Sequence, residues 1–145
     1  MQVWVRDGQL WQLGDSIITY VIRRFALGDA PAIALHPTAL AGWFGMFVTA
    51  LNLMPMAQLD GGHILYAAAP QRHQWIARAF WVSLMVLGWF WSNWLVWGVL
   101  VLVLSRGSLG HPPVLDAYRA LPTSRRRLAW VSLALFLATF PPAPF

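Results

Sequence analysis

Apolar and polar positions alternate with a helical period near the start of the chain. Between Asp15 and Gly28, Ile17, Val21 and Phe25 fall on one face of a helix. The aspartate or the serine after it can cap the start, and the glycine can end it. The pattern predicts a short amphipathic helix. Two placements remain open, in a membrane interface or packed on the rest of the protein.

Four longer apolar stretches follow, at 38–54, 59–69, 76–104 and 128–140. The first is nearly long enough to span a bilayer, and the proline directly after it should bend or break the helix. As one helix, 76–104 would be roughly 43 Å long, against a hydrocarbon core of about 30 Å. We therefore expect two short helices that turn near Ser92, with polar connectors at 70–74 and 105–127.

The amino-acid composition indicates a membrane protein. Hydrophobic residues make up 59% of the chain and charged residues only 10%, whereas soluble domains carry about 25% charged residues. The arginines stand in small groups beside apolar runs, which is typical of membrane proteins rather than of nucleic-acid binding. We expect an all-α, polytopic membrane protein with about three to four short transmembrane helices. An N-terminal segment, 1–37, would precede the transmembrane region, 38–145.

The tryptophans and basic groups suggest how such helices would lie. Trp89, Trp91 and Trp94 cluster at the expected turn, and Trp75 lies at the other end, like two interfacial belts. The arginine-bearing connectors, 70–78 and 105–127, would then face the cytoplasm.

Candidate chemistry is confined to a few residues. All five acidic residues are aspartate and all ten basic residues are arginine, so glutamate and lysine are absent. Asp60 lies between apolar runs, and an ionisable residue at membrane depth is a functional candidate. Asn52 precedes it by eight positions, and two glycines that follow permit close approach of another backbone. A purely structural role, with Asp60 capping the next helix, is equally compatible with these residues.

The segment 52–63, Asn-Leu-Met-Pro-Met-Ala-Gln-Leu-Asp-Gly-Gly-His, closely resembles the C-terminal conserved region of the site-2 proteases. These are intramembrane zinc metalloproteases. His36-Pro37 and Ala41-Gly42-Trp43 before the motif, and His111-Pro112-Pro113 with Leu115-Asp116 after it, strengthen the resemblance. It covers residues 14–145 and places the motif on a proline-bent helix.

The resemblance implies roles for individual residues. Asp60 matches the aspartate that serves as third protein ligand to zinc, and Asn52 matches an asparagine that positions the substrate or its oxyanion. The remaining motif positions support these two: Pro55, Leu59, Gly61, Gly62 and His63. We expect His63 to be a hydrogen-bonded structural residue rather than a ligand.

The sequence departs from the family at its other motif, His-Glu-x-x-His, which supplies two zinc ligands and a glutamate base. The chain has no glutamate, and no two of its four histidines are four positions apart. It should therefore not hydrolyse peptides alone. His36, His73 and His111 are expected in surface connectors rather than at a metal.

Three functions fit these observations. The first is the C-terminal part of a site-2-type protease, which needs zinc, a His-Glu-x-x-His-bearing half and a transmembrane protein substrate. The second is a non-catalytic membrane protein derived from the protease, acting as a binding or regulatory partner, for instance as a homo-oligomer. The third is a transporter subunit with Asp60 as its ion site. We expect a prokaryotic plasma membrane, contact with lipid and no nucleic acid.

Overall fold

The computed structural model describes residues 2–6, 9–28, 33–112 and 121–144. Within these residues it contains six helices and three strands, so the chain is mostly helical, as predicted. In chain order they are β1 (Gln2–Arg6), β2 (Gln9–Leu13), α1 (Ile17–Leu27), β3 (Ile33–Ala34), α2 (Pro37–Asn52), α3 (Asp60–Ala68), α4 (Pro70–Phe90), α5 (Asn93–Leu104) and α6 (Thr123–Thr139). The chain forms two compact units, one of residues 1–51 with 136–145, the other of residues 52–135.

A small sheet in the first unit departs from the expected all-α class. Its strand order is β2-β1-β3, with β2 antiparallel and β3 parallel to β1. Val3 pairs with Gln12 on one side and with Ala34 on the other. The strands are short, and one partner lies some thirty residues away in sequence. Local patterns do not reveal such a pairing, because strand formation depends strongly on tertiary context.

Helix α1 agrees with the sequence prediction. Ser16 is its N-cap and forms a capping box with Thr19, and Gly28 ends the helix with a φ of 65°. The face of Ile17, Val21 and Phe25 is exposed, and Phe25 is 88% accessible. This face therefore does not pack within the described part of the chain.

The core of the first unit is built around Trp43 on α2. The indole Nε1 donates a hydrogen bond of 2.9 Å to the carbonyl of Gly14, and the ring stacks on Phe47 at 5.3 Å. The amide of Gly14 donates in turn to the carbonyl of Pro144, also at 2.9 Å. The proline-rich C-terminal segment is thus tied to the start of α1.

In the second unit, α4 and α5 are separate helices joined at Trp91 and Ser92, which confirms the predicted turn. They pack so closely that Trp81 Nε1 donates a hydrogen bond of 3.1 Å to the carbonyl of Gly98. Trp94 is fully buried and not interfacial, whereas Trp75 and Trp89 are 78% and 87% exposed. The prediction of an interfacial role was therefore wrong for Trp94.

Two element boundaries were also wrong. Residues 70–74 are helical, because α4 begins at Pro70, a residue that the first helical position accommodates. The arginine run 125–127 lies inside α6 rather than before it. In the described ranges, no helix is both long enough and apolar enough to cross a membrane. The expected transmembrane helices are therefore not supported by the structure.

Candidate functional site

The motif forms a tight turn between two helices. Helix α2 ends at Asn52, residues 53–59 turn, and α3 begins at Asp60. Met54 and Met56 are fully buried in the turn, and Ala57 has a φ of 52°. Instead of one proline-bent helix, the chain breaks completely. Pro55 cannot donate a backbone hydrogen bond, and a positive φ does not continue a helix.

Glycines 61 and 62 let this turn fold back on α3. A Cβ on Gly61 would overlap the carbonyl of Leu53, and one on Gly62 would overlap the carbonyl of Ala57. Both glycines are buried. The first turn of α3 is thus held by backbone contacts that no larger residue would permit.

Asp60 is the first residue of α3 and is exposed. Leu59 occupies the N-cap position and no side chain caps the helix, so Asp60 is not the N-cap that the structural alternative required. Within the described residues its carboxylate makes no hydrogen bond or ion pair. The burial expected for Asp60 is not found in this chain alone, because the residue precedes the buried glycines and lies outside the packed turn. A carboxylate in the first turn is favoured by the helix dipole.

Asn52 is also exposed, at the last position of α2. The structure thus leaves both candidate polar side chains of the motif accessible, one at each end of the turn.

Three histidines come together beside the motif. His63 Nδ1 lies 2.7 Å from His111 Nε2, and the His111 ring stacks on Tyr66 with centroids 4.2 Å apart. The ring centroid of His73 lies 6.1 Å from that of His111. His63 is thus hydrogen bonded, as predicted. His36 is exposed in a connector, also as predicted, and bonds to Thr38.

The placement of His73 in a surface connector was wrong. It is 2% exposed on α4, and its Nε2 is buried without a hydrogen-bond partner. Burial lowers the pKa of His73, and the neighbouring His111 and His63 lower it further, against a hydrogen bond to the backbone of Gly62 that raises it. The sequence held a signal for this position, because His73, Ala77, Leu84 and Gly88 share the buried face of α4.

Comparison with known proteins assigns the chain that carries this motif to a family. The model of peptidase family M50 matches residues 6–89, which include the whole motif and more than half of the chain. The chain is an M50 peptidase family member. This confirms the resemblance to the site-2 proteases.

Two relatives of the chain are plant proteins. The chain is 32% identical to "Probable zinc metalloprotease EGY1, chloroplastic" of Oryza sativa subsp. japonica over 132 residues, 88% of this chain and 22% of that protein. It is 30% identical to the Arabidopsis thaliana protein of the same name, over 88% of this chain and 24% of that protein. The chain therefore spans less than a quarter of their length. No solved structure matches.

The M50 assignment raises the question of zinc. In the described residues, no group of three histidine, cysteine, aspartate or glutamate side chains could hold a metal ion. The Asp60 carboxylate could offer one oxygen ligand, whereas a catalytic zinc needs three protein ligands. These residues alone do not fit a complete zinc site. The expected prokaryotic plasma membrane also finds no support in relatives named as chloroplastic. Leu115 and Asp116 lie outside the described residues.

Proposed function

We propose that this chain is the part of an M50 metalloprotease that carries the aspartate ligand. Asp60 would supply one oxygen ligand to a zinc ion. The two histidine ligands and the glutamate base would come from a polypeptide segment outside this sequence. The complete enzyme would hydrolyse a peptide bond in a membrane-embedded substrate.

One observation carries the proposal. The backbone of the turn 53–59 packs against Gly61 and Gly62 in the first turn of α3. The Asp60 carboxylate beside them is exposed and makes no hydrogen bond among the described residues. Water satisfies an exposed carboxylate, so exposure alone assigns no role to Asp60. The support comes from its place in the motif, which the M50 family model covers, together with its accessibility. An exposed carboxylate at a rigid position is available to a second segment.

The composition requires that second segment. With no glutamate in the chain, a glutamate base must be supplied from elsewhere. A bound zinc would supply a water molecule with a pKa of about 7. Asn52 would orient the substrate carbonyl from the other end of the turn.

The test is reconstitution of the full chain with a separately produced His-Glu-x-x-His-bearing half. We expect the pair to retain zinc near one equivalent, and Asp60→Asn to lose most of it. Gln58→Ala, an exposed neighbour in the same turn, is the matched control and should retain the metal. Asn52→Ala should keep zinc but lower peptide cleavage by about a hundredfold or more, as loss of an oxyanion donor does.

Two outcomes would contradict the proposal. If the pair binds no zinc, the chain is better explained as a non-catalytic binding or regulatory partner derived from the protease. If Asp60→Asn retains zinc as the wild type does, the carboxylate is not a ligand.

We propose further that the segment 76–104 of α4 and α5 lies in lipid. Both helices carry large apolar side chains that nothing in the described chain covers, including Val86, Trp89, Val96 and Val103, each more than half exposed. Exposed apolar patches of this kind mark membrane or protein contacts. The membrane is favoured because the family consists of intramembrane proteases. A reporter fused after residue 115 would show on which side of the membrane the basic connectors lie.

A further inference from the structure

A histidine pair ties the motif helix to the connector that follows α5. His63 lies one turn into α3, and His111 lies in the connector 105–112. Their nitrogens Nδ1 and Nε2 are 2.7 Å apart, at hydrogen-bonding distance. A second bond joins the connector to the turn that precedes α3, because the amide of Ala57 donates a hydrogen bond of 2.9 Å to the carbonyl of Leu109. The connector therefore holds the motif at two points.

The hydrogen bonds determine which nitrogens carry protons. His111 Nδ1 lies 2.7 Å from the carbonyl oxygen of Pro112, which can only accept, so Nδ1 carries a hydrogen and donates it. In the neutral ring Nε2 then carries no hydrogen, and it accepts a hydrogen bond from His63 Nδ1. Stacking on Tyr66, nearly parallel at 15°, fixes the plane of the His111 ring.

We propose that the His63–His111 bond is a clasp that positions the Asp60 motif, with His111 as the positioning residue. Asp60 begins α3 three residues before His63, so a clasp on His63 holds the first turn of α3 in place. The clasp stands on the geometry of this chain. Its consequence for zinc rests on the proposed function.

Two substitutions separate the bond from the packing. In His111→Gln the amide oxygen can still accept from His63, but the side chain has no ring to stack on Tyr66. In His111→Phe the ring can still stack on Tyr66, but it cannot accept. A purely structural role for the ring would be retained by phenylalanine, whereas the clasp would be retained by glutamine.

The measurement is amide hydrogen exchange of residues 53–63 in the full chain at neutral pH, expressed as protection factors. We expect His111→Gln to be as protected as the wild type. His111→Phe should be about tenfold less protected, as loss of one hydrogen bond would produce.

Ring nitrogen NMR provides an independent readout. In the folded chain we expect a hydrogen on Nδ1 and none on Nε2 of His111. The proposal is overturned if Nε2 carries the hydrogen, if His111→Phe is as protected as the wild type, or if His111→Gln is no better protected than His111→Phe. It is also overturned if zinc added to this chain alone shifts both rings at one equivalent, because the nitrogens would then be metal ligands. Failure of the reconstituted pair to bind zinc would contradict the proposed function and leave these results unchanged.

Discussion

The residues of the motif divide into those that shape the turn and those that remain accessible. Met54, Met56 and the two glycines are buried, whereas Asn52 and Asp60 are exposed. The positions of Asn52 and Asp60 therefore depend on a turn whose geometry is set by apolar residues and glycines, which carry no reactive side chain. Substitutions of the buried residues in and beside the turn should alter the site as strongly as substitutions of the polar residues, whereas the exposed Gln58 should tolerate change.

Gly61→Ala tests how tightly the turn packs. The added methyl group would overlap the backbone carbonyl of Leu53, which cannot move aside as a side-chain end can. We expect a loss of about 1–3 kcal/mol in the free energy of unfolding. Gly42→Ala is the matched control, because no atom of the described residues lies within 4 Å of a Cβ there. In a helix interior that change should stabilise by about 0.5–1 kcal/mol. Equal effects at the two positions would show that the turn is not tightly packed.

His73 gives the stability of the chain a pH dependence. Its pKa is lowered in the folded state by burial and by His111 and His63, so the unfolded chain binds the proton more readily. Stability should therefore be fully present above about pH 6.5 and should fall as the pH falls toward the folded pKa. Chemical denaturation at several pH values measures this. His73→Gln should flatten the curve, and the exposed His36→Gln should not. A stability that rises on acidification would contradict the lowered pKa.

At the scale of elements, the α4–α5 pair shows what length and pattern can predict. The apolar stretch 76–104 was too long for one span, and the structure divides it at Trp91 and Ser92. The pattern did not distinguish the buried Trp94 from the exposed Trp89, because both lie in an almost uniformly apolar run. Only the packing of α5 on α4 decides which tryptophan is covered.

Helix α5 provides the test of the lipid proposal. Val96 and Val99 are 65% and 53% exposed and lie on one face, three positions apart. We expect the wild-type chain to stay with membranes after alkaline carbonate washing. Val96→Asp combined with Val99→Asp should release most of it, because each charge in the hydrocarbon costs about 2.5–3.5 kcal/mol. Gln74→Asp, exposed near the start of α4, should have no such effect. Complete release of the wild type would exclude the lipid placement.

At the scale of the whole molecule, the chain covers less than a quarter of the EGY1 proteins that it matches. Its motif lies in the second of the two compact units, between residues 52 and 63. Among the described residues, no three histidine, cysteine, aspartate or glutamate side chains are grouped so that they could hold a metal ion. Under the proposed function, an activity of the family type would belong to an assembly to which this chain contributes the aspartate motif.

Much of the helical architecture could be predicted from sequence, because it rests on local patterns. The capped helix α1, the break after α2 and the division of α4 from α5 follow from caps, proline and apolar length. The site was located by the motif alone. The sheet, the burial of His73 and the histidine pair could not be predicted, since each depends on residues far apart in sequence.

The sequence by itself determined the family, the helices and the identity of the residues available for chemistry, because spacing and composition are local and cannot change on folding. The absence of glutamate, for example, needs no coordinates. Tertiary structure alone decided which polar groups are accessible and which meet. Asp60 is exposed and His73 is buried because the turn and α4 pack as they do. His63 meets His111, 48 positions away, only because the connector folds back on the motif.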